Sequence, residues 1–370
     1  MPTNEARSVS TRLQQHVAEV IALAGGWLPF DRYMALALYQ PGLGYYANDG
    51  LKFGPMPSSG SDFVTAPELS PLFGRALAVQ VAQAGRALGG SAFEIWEFGA
   101  GSGALAAQLL EALGDAVRAY HVVELSAALR QRQQQRLERW PGRVQWHDAL
   151  PESFEGIVVG NEVLDAMPVQ LLRWDGAQWF ERGVACRDGG FEWEDRATTL
   201  HPPLDTGFVP GTVLEIHPQA EAFIATLAQR LARGVAFFID YGFPEAEYYH
   251  PQRTGGTLMC HRAHRAEAGE RAPLEDIGLK DITAHVNFSA VALAGQDAGL
   301  DVIGYATQAR FLMNCGLLSL LQGAGPREIA AAQKLLNEHE MGELFKAIGF
   351  ARGLDFEPLG FVSGDRRHTL

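Results

Sequence analysis

Glu94-Ile95-Trp96-Glu97-Phe98-Gly99-Ala100-Gly101-Ser102-Gly103 decides the fold. An apolar run enters three closely spaced glycines, and the Ala/Leu-rich segment ALAAQLLEALG follows at once. That order reads as a buried strand, a sharp turn and a helix, because glycine adopts backbone angles that other residues avoid and lets the chain approach a ligand closely. The start of the helix then offers unsatisfied N–H groups. Further along, AYHVVE, a Gln/Arg-rich helix after Ser126, RVQWH and GIVVG continue the alternation of strand and helix. TVLEIH, the helix PQAEAFIATLAQRLA and the fully apolar VAFFID extend it. The pattern predicts an α/β protein with a Rossmann-like, mostly parallel sheet, and the continuous hydrophobicity of VAFFID fits a strand buried on both faces. SAVALAGQDAGL reads as a further helix, DVIGYAT as a strand and FEPLGFV as the last strand.

Ahead of this core, Val9, Leu13, Val17, Val20, Ile21 and Ala24 recur at helical spacing, and a second helix is expected from Pro29 to the Pro41-Gly42 stop. Residues 42–68 are rich in Gly, Pro and Ser but carry four aromatics, which marks a long functional loop and a candidate lid. The expected organisation is N-terminal helices and active-site loop over 1–90, then a core over 91–306 and 351–370. The core is interrupted by β-hairpins at 168–208, a His/Arg/Pro-rich loop at 241–287 and a helical insertion at 307–350.

Hydrophobic residues make up 47% of the 370 residues and charged residues 20%, which excludes a disordered chain. Thirty Lys and Arg against 43 Asp and Glu leave a formal charge of −13, so no nucleic-acid partner is expected. Cys186, Cys260 and Cys315 lie too far apart for a metal knuckle and are odd in number, which points to a reducing compartment. No apolar run reaches the roughly 18 residues of a membrane span, and the N-terminus, with Glu5 and Glu19 in an amphipathic pattern, is unlike a signal peptide, so no membrane partner and a cytoplasmic setting are expected. Oligomeric state is left open, a homodimer included.

Two cofactors compete for the glycine turn. Gly99-x-Gly101-x-x-Ala104 fits a dinucleotide fingerprint, with Glu124 as the ribose acid, and so admits an NAD-dependent oxidoreductase. Three features move the balance towards S-adenosyl-L-methionine, although the second, Glu124, is shared by both readings. Glu97 places a carboxylate where a cationic amino-acid moiety wants a countercharge and a pyrophosphate would be repelled. Glu124 at the end of the next strand can accept from a ribose diol, with Leu125 beside it, and Asp148-Ala149 after the third strand can meet an adenine amino group. Each acid also has an ordinary structural role: Glu97 as a strand-end charge, Glu124 at the start of the helix from Ser126, Asp148 in the turn before Pro151. The cofactor set is then Glu97, Gly99, Ala100, Gly101, Gly103, Glu124, Leu125, Asp148, Ala149 and Asn161.

The longer phrases carry a resemblance. Gly44-Tyr45-Tyr46, Ser61-Asp62-Phe63-Val64-Thr65-Ala66-Pro67-Glu68, Gly160-Asn161-Glu162-Val163-Leu164-Asp165-Ala166-Met167-Pro168-Val169 and Asp281-Ile282-Thr283-Ala284-His285-Val286-Asn287-Phe288 are similar to those of the MidA-like class I methyltransferases, from about residue 25 to about residue 365. Ser61 stands where Gly is common, and Met167 where Leu is usual. The resemblance implies a seven-stranded methyltransferase sheet and S-adenosyl-L-methionine as cofactor. Its mitochondrial members are protein arginine methyltransferases that serve assembly of respiratory complex I, which implies a protein substrate and an arginine acceptor. The N-terminus lacks an Arg-rich, acid-poor transit segment, which favours a bacterial member.

Methyl transfer from a sulfonium needs mainly alignment in a dry pocket. Residues just beyond GIVVG would face the methyl group, and those are Asn161, Glu162 and Asp165. An arginine acceptor wants a carboxylate that grips two guanidinium nitrogens, a role for Glu162 first and Asp165 one helical turn on. Alternatively, Asn161 caps a helix whose first turn holds Glu162. Asp240 is either an orienter of the site or a turn former. His261-x-x-His264 lacks regular ligand spacing, so no metal is expected, and His285 stands either near the substrate or as a buried structural histidine. A third functional class is an assembly partner that keeps a cofactor fold without catalysis.

Overall fold

The computed structural model describes residues 4–48, 64–204, 207–262, 265–267 and 269–370. Most of the expected lid, residues 49–63, and His264 lie outside the described residues. The contacts divide the chain into a core unit, Val64–Leu164, Glu221–Pro244 and Phe288–Leu370, and an accessory unit, Met1–Phe63, Asp165–Ala220 and Glu245–Asn287.

In the core unit seven strands run β1 (Phe93–Phe98), β2 (Val117–Val123), β3 (Val144–His147), β4 (Phe154–Asn161), β5 (Leu231–Phe243), β6 (Asp301–Thr307) and β7 (Phe345–Arg352). Their order across the sheet is β6-β7-β5-β4-β1-β2-β3. All neighbours from β3 to β5 pair in parallel, while β7 lies antiparallel between β5 and β6. The strand VAFFID, read as buried on both faces, is so, with Val235–Ile239 at most 1% exposed, and β4 beside it is buried at six consecutive positions. Helices α1 (Pro71–Ala87), α2 (Ala104–Leu113) and α3 (Ala127–Arg136) supply cover. Phe73, Leu77, Val81, Leu105, Leu109 and Leu110 join Ile95, Tyr120, Ile157 and Phe237 in one apolar cluster. Helix α1 was not anticipated from the sequence; Ser70 caps it by accepting from Leu72 N at 3.2 Å, and Pro71 opens its first turn.

The last strand is not FEPLGFV, which carries only a 3-10 turn at Leu359–Phe361, with Phe361 packed on Phe311. It is FKAIGFAR at 345–352, most of it inside the 307–350 span expected to be helical. Lys346 obscured it: its ammonium is buried yet donates to the carbonyls of Glu343 and Leu344, and such satisfaction is what lets a lysine occupy a buried strand.

In the accessory unit, helices Asn4–Leu23 and Phe30–Tyr39 contribute Leu13, Val17, Ile21, Tyr33 and Leu38 to a second apolar cluster, as the helical spacing required. Strands Trp27–Pro29, Trp179–Arg187, Gln170–Trp174 and Val213–Ile216 line up in that order in an antiparallel sheet, with Gly190–Ala197 also paired to Trp179–Arg187. TVLEIH therefore does not belong to the parallel core. Its Glu215 is fully buried and accepts from Thr257 N at 2.8 Å, Leu258 N at 2.9 Å and Tyr248 Oη at 3.0 Å, donors that come from the same unit. Residues 241–287 are likewise more than a loop: they hold the end of β5, a short helix at Glu245–Tyr248 and a three-stranded sheet of Met259–Arg262, Arg265–Glu267 and Asp281–Thr283.

Candidate active site

Five strand ends of the core stand in one row. The register pairs Val123 with His147, Phe98 with Val123, Phe98 with Gly160, and Asn161 with Ile239. Asp148, Glu124, Gly99, Asn161 and Asp240 therefore lie along one edge of the sheet in that order. This carboxyl edge is where open α/β sheets bind ligands.

The turn after β1 is built from left-handed glycines, with φ of +61° at Gly99, +53° at Gly101 and +81° at Gly103. A Cβ on Gly99 would stand 2.5 Å from Val163 Cγ2, so side chains are excluded there on two counts. Ala100 is buried, and Gly103 leads directly into α2. Ser102 Oγ donates to Glu68, while Arg136 Nη1 lies 2.7 Å from Glu68 Oε1 and 2.6 Å from Ser102 Oγ.

Glu97 is buried and its Oε2 accepts from Tyr120 Oη at 2.7 Å. Burial pushes its carboxyl up to about 8 against the lowering effect of that hydrogen bond, and the negative charge of Glu124 adds to the rise. Glu124 Oε1 accepts from Ser126 N at 2.8 Å and Oε2 from Gln133 Nε2 at 3.0 Å. Its pKa is also raised by burial, which these bonds oppose. The side-chain cap of α3 is Ser126, which accepts from Leu129 N. Leu125 is 78% exposed on this edge. Asp148 is solvent-facing and ion-paired with Arg130, and Ala149 is exposed.

Asn161 Nδ2 donates to Glu162 Oε1 at 2.9 Å, and Ala66 N approaches the same oxygen at 3.4 Å. No helix follows. Glu162 adopts a left-handed backbone, φ +53°, and its N–H donates to Ile239 O at 2.9 Å. Asp240 Oδ2 accepts from Val163 N at 3.0 Å and Leu164 N at 2.8 Å. The helix-start reading of Asn161 and Glu162, and the helical turn between Glu162 and Asp165, are corrected: the left-handed residue diverts the chain from a helical path, and Asp240 supplies the acceptor for the turn. Asp240 thus orients the turn that carries Glu162.

Asp165 opens the accessory unit, where its carbonyl accepts from Ala284 N at 2.9 Å. Tyr46 donates to Asp281 Oδ2 at 2.8 Å, and burial above all, then the charge of Asp281, holds its hydroxyl well above the usual range. The phrases at 44–46 and 281–287 therefore meet within one unit. His285 N donates to Thr257 Oγ1 at 3.0 Å, and Thr257 belongs to the buried network of Glu215, Tyr248 and His217. His261 sits in a strand, with its pKa lowered by burial. No group of three or more metal-ligating side chains occurs among the described residues.

Sequence reasoning missed Gln133, Tyr120, Glu68, Arg136 and His217. Only Glu68 had a signal, as the last residue of the Ser61–Glu68 phrase.

The edge fits S-adenosyl-L-methionine. Asn161 Oδ1 is buried without a hydrogen-bond partner among the described residues, and such an atom calls for one from a ligand or water. The left-handed glycines give backbone access, and the buried carboxylates Glu97 and Glu124 suit an ammonium and a diol. Sheet order, glycine turn and strand-end acids together define a methyltransferase of the Rossmann-like class. Residues 75–306 match the model of the S-adenosyl-L-methionine-dependent methyltransferase family, and the chain belongs to that family. A superfamily member from Burkholderia thailandensis, solved bound to S-adenosyl-homocysteine, is 50% identical with a TM-score of 0.95, over 100% of this chain and 99% of that one. Protein arginine methyltransferase NDUFAF7 homolog, mitochondrial, of Drosophila melanogaster is 29% identical over 90% of this chain and 83% of its own length. Protein arginine methyltransferase NDUFAF7, mitochondrial, of Danio rerio is 27% identical over 92% and 86%. Between the two cofactors that the glycine turn admits, the family decides for S-adenosyl-L-methionine.

Proposed function

We propose that this chain methylates an arginine side chain of a protein substrate, with Glu162 gripping the guanidinium. The observation that carries this reading is the strained placement of Glu162: a non-glycine residue held left-handed at the ligand edge, with its carboxylate anchored by Asn161. The names of the relatives supply the acceptor class. S-adenosyl-L-methionine supplies a methyl carbon on a good leaving group. Glu97 holds the cofactor ammonium, Glu124 its ribose and Asp148 the adenine amino group, while Leu125 and Ala149 line the edge. Glu162 pairs with two guanidinium nitrogens and aligns the third. As that nitrogen's lone pair forms the C–N bond, the S–C electron pair returns to sulfur and the guanidinium gives up one proton, for which the Glu162 carboxylate is the nearest assigned acceptor. The protein would act in the cytoplasm of a bacterial cell, where its three free thiols are stable.

The test is transfer of labelled methyl groups from S-adenosyl-L-methionine to a bacterial protein extract, followed by mass spectrometry of labelled peptides. Label on arginine supports the reading. Label confined to another residue type or to small molecules overturns it.

A further inference from the structure

We infer that Gln133 is a positioning residue that locks the three cofactor-binding strand ends to one another. Gln133 lies on α3 and is fully buried, although it sits in the polar run Gln131–Arg136. Its amide nitrogen donates to Gly101 O at 3.0 Å in the glycine turn after β1 and to Glu124 Oε2 at 3.0 Å after β2. Its amide oxygen accepts from Trp146 Nε1 at 3.0 Å, two residues before Asp148 on β3. Both N–H groups and the carbonyl are thus engaged, so only one orientation of the amide satisfies all three partners.

Gln133 neutralises no charge, but it fixes the torsion of Glu124 and turns the Gly101 carbonyl toward the helix. It acts on the cofactor through those two residues. A ribose acid free to rotate would pay for its own ordering on binding, whereas this one is ordered beforehand. The inference rests on the cofactor roles given to Glu124 and the glycine turn, and the experiment separates the two.

Binding of S-adenosyl-homocysteine to the full chain is measured by titration calorimetry for wild type, Gln133→Leu, Gln133→Glu, Glu124→Ala and the Glu124→Ala/Gln133→Leu pair, each with its melting curve. Gln133→Leu is expected to raise Kd by roughly 10- to 100-fold. In the Glu124→Ala background the Gln133→Leu substitution should raise Kd by a smaller factor than it does in the wild type, because part of its action runs through that carboxylate and the rest through Gly101. In Gln133→Glu the side chain keeps its size. Protonated, it donates to Glu124; ionised, it repels it. The ratio of its Kd to that of wild type is therefore expected to rise about tenfold or more between about pH 5.5 and about pH 8, a trend that a merely structural role would not produce. A folded Gln133→Leu with Kd within about threefold of wild type overturns the inference. If that variant does not fold, a pH-independent ratio for Gln133→Glu overturns it. Unchanged Kd in Glu124→Ala sinks the cofactor role of Glu124 itself; a weakened Glu124→Ala beside an unaffected Gln133→Leu sinks only the role of Gln133.

Discussion

Leu164 N donates to Asp240 Oδ2 at 2.8 Å, which ties the turn after β4 to the end of β5. Val163 N shares that oxygen, and Tyr241 N binds Oδ1 at 2.9 Å. One buried carboxylate thereby holds the backbone on which Glu162 stands. Asp240→Ala is expected to cost about 2–4 kcal/mol of stability, the scale for charge-assisted bonds whose buried donors are left unmet. Asp240→Asn, which keeps an oxygen but no charge, should cost about 1–2 kcal/mol. Denaturant unfolding of the two variants checks this; a loss below about 0.5 kcal/mol in Asp240→Ala would remove the anchoring role.

Glu162→Gln retains volume and one acceptor but deletes the charge. With a guanidinium acceptor, kcat/KM is expected to fall by roughly 30- to 1000-fold, on the order of 2–4 kcal/mol, while the Kd for S-adenosyl-homocysteine stays within about threefold. Steady-state methyl transfer to the identified substrate reads the first quantity and calorimetry the second. A rate near wild type would leave the acceptor without its grip.

Burial pushes the Glu97 carboxyl up to about 8, so at neutral pH the free protein carries it mostly protonated. Its folded pKa exceeds the ordinary 4.5, so its burial costs no stability below that value, and the cost grows as pH rises toward about 8. Binding an ammonium requires the anion and hence releases a proton below about pH 8. The cofactor's own α-amino group loses its charge above about the same pH, so affinity should peak near pH 8 and fall on both sides. Calorimetry in buffers of different ionisation enthalpy should record proton release at pH about 7 and uptake at pH about 9. In Glu97→Gln the acid-side fall disappears. Affinity that rises steadily toward low pH would contradict the assignment.

Gly101→Val places a β-branched side chain at φ +53°. Left-handed backbone costs ordinary residues about 1–2 kcal/mol and branched ones more, so the turn would relax and the N–H groups facing the ligand would scatter. The Kd for S-adenosyl-homocysteine is expected to rise by more than about tenfold. A variant with a native circular-dichroism spectrum and unchanged affinity would take the glycine turn out of the cofactor site.

What the sequence determined by itself is local. Strand, glycine turn and helix follow one another within twenty residues, and the carboxylates Glu97, Glu124 and Asp148 are legible because each sits at the end of a strand whose hydrophobic run marks its own boundary. The N-terminal helices show their buried faces through spacing alone. What only the tertiary structure decided concerns buried polar groups, whose state depends on partners distant in the chain. Lys346 hid the last strand until the carbonyls that receive its ammonium were in place. Glu215 carried Val213–Ile216 into the accessory sheet because its donors come from residues 248–258. Asn161 and Glu162 also admitted a helix-start reading until Asp240, 76 residues beyond Leu164, claimed the N–H groups that follow them. Gln133, one of four glutamines in a polar helix, was chosen by burial alone. Hydrophobic periodicity is written in neighbouring residues, whereas the satisfaction of a buried donor or acceptor is settled only when the fold brings its partner to it.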